Sequence, residues 1–255
     1  MTNHLDINAD MGEGFGAWRI GGDIDDAIMA LISSANVATG FHAGDPSTMT
    51  HSLQEARRHH VAVGAHPGFR DLVGFGRRHI AAAPDELVSD VLYQLGALRE
   101  LAAREGMAIR HLKLHGALYM HAARDADFAT ELCDALLQVD ANLPVYCLAG
   151  SELDRVAEIA GIQRVHEFYA DRDYDDSGSI VFVRQVARRD PDAVADKVLR
   201  AAQQGVVETL SGKTIAVRFD SVCLHSDSPG ALEMLTAIRR RLDDEDIVLR
   251  SPGAG

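Results

Sequence analysis

Cysteine is scarce in this 255-residue chain: Cys133, Cys147 and Cys223 are odd in number and show no CxxC spacing, so neither a disulfide framework nor a zinc ribbon is indicated. Buried thiols in a reducing compartment are the expected state. Basic residues are also few, 25 Lys and Arg against 38 Asp and Glu, and the formal net charge of -13 excludes the clustered positive face that nucleic-acid phosphates need. No apolar run approaches the roughly 20 residues of a membrane span. The N-terminal MTNHLDINAD lacks the basic and apolar regions of a secretory signal, which leads to the expectation of a soluble, cytoplasmic protein. No Pro/Ser-rich linker or low-complexity stretch divides the chain, so a single domain over residues 1–255 is expected. Two catalytic signatures are missing as well. There is no G-x-S-x-G elbow, and no cysteine sits beside a candidate base, which leaves acyl-enzyme chemistry unsupported. Gly212-Lys213-Thr214 has the ending of a phosphate loop, but Gly205 lies two residues too far upstream and a strand-like IAVRF follows where a helix should begin, so a turn is expected.

What is present is an ordinary globular mixture, 47% hydrophobic and 25% charged, enough for a sizeable core without disulfide or metal staples. Short apolar or β-branched runs alternate with longer stretches of helical period. The strand candidates are His4 to Asn8, Ala35 to Gly40, Val61 to Ala65, Ile109 to Leu114, Pro144 to Leu148, Arg164 to Phe168 and Ser221 to Leu224. Helices are expected over Asp23 to Ser33, with Ile24, Ile28, Leu31 and Ile32 on one stripe, and over Pro84 to Glu105, with Leu87, Val91, Leu95, Leu98 and Leu101. Asp45-Pro46 and Ser228-Pro229 read as N-cap followed by first-turn proline. Strand then helix, repeated, implies an α/β protein with a mainly parallel sheet, either a (β/α) barrel or a doubly wound sheet. Polar residues follow most of the strands instead of gathering at one switch point, and this favours the barrel, whose strand ends share one mouth.

Those strand ends carry the chemistry. NADMGEGFG places Asn8, Asp10 and Glu13 on a strand running into a glycine-rich loop, where the carboxylates suit acid-base work or a cation. Gly12, Gly14 and Ala17 formally match GxGxxA, but no helix is expected to open there and Glu13 would repel a pyrophosphate. NVATGFHAGD ends in His42 and Asp45, a pair able to shuttle protons or share a metal, with helix capping as the plainer role for Asp45. GAHPGFRDLVGFGRR is a long loop rooted at His66, in which Arg77 or Arg78 could clamp a carboxylate or phosphate. In KLHGALY, strand alternation aims Lys113 and His115 at one face, suited to oxyanion stabilisation and proton transfer. EFYADRDY and LHSDSPGA add Glu167, Asp171, Arg172, His225 and Asp227 after late strands.

Taken together, NADMGEGFG, NVATGFHAGDP, GAHPGFRDLVGFGRR, KLHGALY, ADRDY and HSDSPGA resemble the LamB/YcsF family, from Leu5 to about Leu242. The resemblance implies a seven-stranded (β/α) TIM-like barrel related to the glycoside hydrolase/deacetylase superfamily. It implies ATP-dependent opening of 5-oxoproline to L-glutamate, with magnesium accompanying the ATP, carried out together with 5-oxoprolinase B and C subunits. The chain departs from the family's usual wording at Leu114, Met120, Thr39 and Ser226, and in the SGSIVFVRQ stretch at 177–185, while the acids and histidines stay in place. Under this reading Asp10 or Glu13 activates water, His66 or His115 protonates the leaving nitrogen, and Lys113 with Arg77 steadies developing negative charge. Asn8, His42, Asp45, Glu167, Asp171, Arg172, His225 and Asp227 complete the substrate or ATP contacts. Two other readings compete: a metal-dependent deacetylase with zinc on His42, Asp45, His66 and Asp10, and a non-catalytic subunit that binds substrate for its partners. Self-association is left open.

Overall fold

The computed structural model describes residues 4–18, 24–181 and 187–252. Of the expectations above, Asp23 and residues 182–185 lie outside them. In chain order the elements are β1 (His4–Met11), α1 (Asp25–Met29), β2 (Ser34–Ala38), α2 (Pro46–His59), β3 (Ala62–His66), α3 (Pro84–Arg104), β4 (Ile109–Leu112), α4 (Gly116–Ala122), α5 (Ala126–Asp140), β5 (Val145–Cys147) and α6 (Glu152–Ala160). They continue with β6 (Arg164–Tyr169), β7 (Asp173–Tyr174), β8 (Ile180–Val181), α7 (Pro191–Gln204), β9 (Val206–Glu208), β10 (Thr214–Ala216), β11 (Ser221–Cys223), α8 (Ala231–Asp244) and β12 (Val248–Leu249).

The main sheet runs in the order β11-β6-β5-β4-β3-β2-β1-β12, and β11 also pairs with β1, so seven strands follow one another in closed barrel order. The pairings β3–β4, β4–β5, β5–β6, β6–β11 and β11–β1 are parallel, as strand-helix alternation requires. β12 adds outside that ring against His4 and Leu5. Within the described residues the chain falls into two compact units, the first formed by 4–9, 24–34, 167–181 and 187–252, the second by 10–18 and 35–166.

Strands buried on both faces are normal in parallel sheets, but their polar side chains then need partners inside. β1 illustrates this. Leu5, Ile7, Ala9 and Met11 alternate with Asp6, Asn8 and Asp10, and all seven are buried. In the first unit Asp6 accepts hydrogen bonds from the hydroxyls of Ser33 at 2.6 Å, Ser34 at 2.7 Å and Ser221, while Asn8 donates to Ser221 Oγ at 2.7 Å. The register is consistent, since Asp6 lies opposite Ser221 and Asn8 opposite Cys223.

Helix boundaries follow their caps. α3 begins with Pro84 in its first turn and buries Leu87, Val88, Val91, Leu95, Leu98 and Ala102 along one stripe. Asp125, Ser151 and Asp190 cap α5, α6 and α7 through their side chains. The expected capping by Asp45 is present: Oδ1 accepts from Ser47 N–H at 2.9 Å and Thr48 N–H at 3.2 Å, and Oδ2 accepts from Gly16 N–H at 2.9 Å. Burial pushes the Asp45 carboxyl up, but the hydrogen bonds from Gly16, Thr48 and Ser47 outweigh it and hold the value at about 2. A folded-state value depressed below that of the unfolded chain means that the stabilisation is fully present above the ordinary Asp range and is lost as pH falls toward 2. Asp45→Ala is expected to cost about 1 kcal/mol of stability at neutral pH, typical for loss of an N-cap, and the difference from the parent should shrink in acid. Urea denaturation of both proteins at neutral and at acid pH checks this.

The other cap expectation is corrected. α8 starts at Ala231 with Gly230 as its N-cap and no side-chain cap, because Ser228 turns its hydroxyl to Asp171 instead. α1 is also shorter than the apolar stripe suggested, five residues over Asp25–Met29. Gly212 and Lys213 do lie in the connection between the antiparallel strands β9 and β10, with Thr214 opening β10, and Thr209 N–H donates to the Lys213 carbonyl.

Candidate active site

The second unit gathers six of the predicted residues, two of which, Asp10 and Lys113, form a buried ion pair. Lys113 Nζ donates to Asp10 Oδ1 at 3.0 Å, with the two side chains 3% and 6% exposed. So little water reaches this pair that each charge depends on the other. Asp10 Oδ1 also accepts from Asn36 Nδ2 at 2.9 Å, and Asn36 Oδ1 lies 2.7 Å from His111 Nε2, a short relay leading away from the carboxylate. Burial, then the nearby Lys113 ammonium and His66, push His111 down to about 3, so it serves as a neutral donor to Asn36.

Asp10 Oδ2 faces His66, whose Nε2 is 3.4 Å away. His66 Nδ1 donates to the Lys113 carbonyl at 2.8 Å, and His115 Nε2 donates to the Phe75 carbonyl at 2.8 Å. The other nitrogens of those rings, His66 Nε2 and His115 Nδ1, are 3.0 Å apart. His42 stacks on His115, ring centroids 3.7 Å apart and 4° from parallel, with its Nε2 3.5 Å from Glu13 Oε1. Glu13 Oε1 is in turn 3.3 Å from His115 Nδ1. His42 and His115 are held well below the ordinary histidine range, by burial first and then by the neighbouring imidazoles, so both rings are neutral at physiological pH.

Close backbone approach makes this packing feasible. A Cβ at Gly68 would stand 2.6 Å from His42 Nδ1, and one at Gly76 would meet His115 Cδ2 at 2.7 Å. A Cβ at Gly64 would lie 2.1 Å from the His111 ring, beside a register irregularity between Val63 and Gly64. Gln94 on α3 fixes the loop after β3, accepting from Gly68 N–H at 3.1 Å and donating to the Gly68 carbonyl at 3.0 Å. In the same loop Arg78 pairs with Asp71, and the exposed Arg77 places its guanidinium 4.9 Å from the centre of the Phe75 ring.

The first unit holds a separate polar group. Asp171, fully buried, accepts from His225 Nδ1 at 3.1 Å, from Arg172 at 2.7 Å and from the Ser228 hydroxyl. Burial raises its carboxyl, but His225, Arg172 and Ser228 overcome that and hold it below the usual carboxylate range. Tyr169 stacks on His225 at 5.9 Å and donates its hydroxyl to Glu167 Oε2 at 3.0 Å. Asp227 is half-buried nearby in sequence. Lys197, lowered by burial to about 8, donates to the carbonyls of Tyr169, Ala170 and Arg172 and so pins the loop after β6.

Of the predicted residues, Asp10, Glu13, His42, His66, Lys113 and His115 therefore converge in the second unit, while Glu167, Asp171, Arg172 and His225 cluster in the first. Asn8 is used inside the sheet, and Asp45 is committed to its helix cap and is not among the side chains whose donor atoms converge with His42 and His66. Sequence reasoning missed Asn36, His111, Gln94 and the serines around Asp6. His111 could have been found, since it precedes Lys113 and His115 by two and four residues on the same alternating face.

Comparisons with known proteins bear on the family and the fold. The model of the LamB/YcsF family matches residues 5–254. A Pseudomonas putida protein, named as one of that organism's 5-oxoprolinase A subunits, is 57% identical over 97% of this chain and 98% of its own length. Its namesake from Pseudomonas aeruginosa is 58% identical over the same shares. The crystal structure of a lactam utilization protein from Thermus thermophilus, 41% identical, superposes with a TM-score of 0.90 over 97% of this chain and 99% of that one. With a family match across nearly all its length and close full-length relatives, the chain belongs to the LamB/YcsF family.

Proposed function

We propose that this chain is the A subunit of a 5-oxoprolinase, hydrolysing the cyclic amide of 5-oxoproline to give L-glutamate in an ATP-dependent reaction with B and C partner subunits. The observation that carries the reading is the buried Lys113–Asp10 pair set against neutral imidazoles. It offers positive charge for an oxyanion or phosphate beside several proton acceptors, which is what lactam hydrolysis needs. The names of the 57% and 58% identical relatives support the same substrate.

A five-membered lactam is an unreactive amide, and phosphoryl transfer from ATP to its carbonyl oxygen would make the carbon electrophilic. In this reading water then adds to that carbon while Asp10 Oδ2 or His66 Nε2 takes its proton. Lys113 steadies the negative charge on the phosphorylated oxygen, the proton is returned to the ring nitrogen as the carbon–nitrogen bond breaks, and a second water hydrolyses the resulting acyl phosphate to the carboxylate of L-glutamate and inorganic phosphate. The two histidines thus act first as bases, because their inward nitrogens are acceptors. Their service as acids follows proton uptake. Gly212 and Lys213, in the connection between β9 and β10, form no phosphate loop. No helix among the described residues is long and apolar enough to cross a membrane, and the reading places the complex in the cytoplasm.

The test is glutamate release from 5-oxoproline, with and without ATP, by the chain alone and with B and C subunits. Release is expected only when ATP and both partners are present. Release in no combination, with partners proven to be folded, would overturn the assignment.

A further inference from the structure

Glu13, His42, His66 and His115 bring one donor atom each to a common centre, and these atoms all lie within 4.8 Å of one another. The hydrogen bonds around them fix what two of these atoms are. A carbonyl oxygen only accepts, so His66 carries its proton on Nδ1 toward Lys113 and His115 carries its own on Nε2 toward Phe75. His66 Nε2 and His115 Nδ1 are therefore the lone-pair atoms of their rings, and they face each other across 3.0 Å. Two acceptors that close need a positive species between them.

A shared proton would satisfy that one contact only. It would leave His42, 0% exposed, with neither ring nitrogen in a hydrogen bond, and would leave the Glu13 carboxylate pointing at the same spot. One metal cation meets all four donors. The observed separations agree: 3.0 Å for His66 to His115, 3.3 Å for His115 to Glu13, 3.5 Å for His42 to Glu13 and 4.0 Å for His66 to Glu13. Neighbouring ligands on a tetrahedral zinc, each bound at about 2.0–2.1 Å, stand about 3.3 Å apart. Metal-bound histidines also commonly donate their second ring N–H to a backbone carbonyl, as His66 and His115 both do.

We propose that Glu13 Oε1, His42 Nε2, His66 Nε2 and His115 Nδ1 form a binding site for one divalent transition-metal ion, zinc being the ion best matched to three imidazoles and a carboxylate. The ligand set differs from the one expected from sequence, with Glu13 and His115 in place of Asp45 and Asp10. Asp45 serves its helix, and Asp10 Oδ1 is held by Lys113 and Asn36. Another group of potential ligands, Cys147, Asp154 and His166, carries no such argument, because Asp154 already accepts from His166 at 2.8 Å and Arg164 at 3.1 Å. A metal at the first site would lie within reach of the Asp10–Lys113 pair and could polarise a carbonyl or water there. With the ion bound, the inward lone pairs of His66 and His115 are occupied and Asp10 Oδ2 is the base that remains for ring opening. The metal inference is measured without substrate, ATP or partner subunits, so its failure is distinguishable from failure of that reading.

The experiment strips the full chain with a chelator, dialyses it and titrates it with zinc chloride by calorimetry, then with cobalt(II) followed by visible absorption. About one ion per chain is expected, bound at micromolar affinity or tighter, with cobalt bands typical of nitrogen and oxygen ligands. His42→Ala and the isosteric Glu13→Gln should each weaken zinc binding by about 100-fold or more, and Asp154→Asn should leave it unchanged. Circular dichroism on each variant separates a lost ligand from a lost fold, and Glu13→Gln, which keeps volume and shape, decides the matter if His42→Ala does not fold. Uptake below about 0.1 ion per chain at saturating zinc, unaltered affinity in Glu13→Gln, or loss of binding in Asp154→Asn would each overturn the assignment.

Discussion

Asp10→Asn is expected to slow glutamate release by the assembled enzyme by about 10²- to 10⁴-fold, the range associated with removing a positioned acid-base group. The substitution preserves shape. Its amide oxygen can still accept from Lys113 and Asn36, as Oδ1 does now. The amide nitrogen that replaces Oδ2 would donate toward His66 instead of accepting a proton, and the negative charge is gone. Lys113, 3% exposed, is then an ammonium without its counter-charge, and breaking a buried pair from one side costs about 3–5 kcal/mol. The two losses come apart in the double variant. Adding Lys113→Met removes the stranded charge, so urea denaturation should show stability partly restored, while glutamate release, now without the cation that steadies the reacting oxygen as well, recovers nothing and falls to or below the level of the single variant. Full activity in Asp10→Asn with partners and ATP present would remove Asp10 from the chemistry. Failure of the double variant to regain any stability would mean that the pair is not the reason for the destabilisation.

Gly44→Ala should be among the most damaging single-methyl additions in the chain, costing about 3 kcal/mol or more and lowering activity with it. Gly44 holds φ at +85°, which L side chains rarely adopt, and a Cβ there would stand 2.4 Å from the backbone oxygen of Ala38. Neither contributor relaxes easily. Left-handed backbone costs a non-glycine residue roughly 1–2 kcal/mol, and a clash with main chain can be relieved only by moving β2 or the turn. The turn is itself tied, since Gly44 N–H donates to the Gly14 carbonyl at 2.7 Å and Gly40 N–H to the Ala43 carbonyl at 2.7 Å. Any shift displaces His42 on one side and the Asp45 cap on the other. Gly106→Ala is the matched control: its φ is +72° but nothing stands within 4 Å of its Cβ, so it should lose only the conformational part, about 1 kcal/mol. Equal denaturation midpoints for the two variants would refute the clash.

Much of this was legible in the sequence because strand alternation and strand ends carry direct geometric meaning. All seven barrel strands lie where the apolar runs stand, and Lys113 and His115, read as sharing a face, do meet one buried group even though β4 ends at Leu112. What stayed hidden depends on neighbours far away in the chain. Nothing local distinguishes Asn36 from any polar residue on a strand until Asp10 and His111 are beside it. Ser228 carries the signature of a cap, yet Asp171, fifty-seven residues earlier, competes for its hydroxyl and wins, leaving the helix to begin from Gly230. Asp45 shows the reverse. Its bland capping role was local and correct, whereas the choice among carboxylates near His42 was a matter of three-dimensional distance, in which Glu13 is the nearer group.

The Asp6 carboxylate binds hydroxyls from Ser33, Ser34 and Ser221, and the separation of 215 residues between Asp6 and the last of these bears on the birth of the molecule at the ribosome. In synthesis Asp6 precedes Ser221 by 215 residues. For most of translation the opening strand therefore carries a charged side chain whose full set of native donors does not yet exist, and a desolvated carboxylate short of donors is costly to bury. β1 thus has reason to stay hydrated until β11 has emerged. Long-range pairing of this kind slows folding, but it also keeps an early apolar strand from committing to the wrong neighbour. In that sense one aspartate acts as a timer, holding the first strand open for the last.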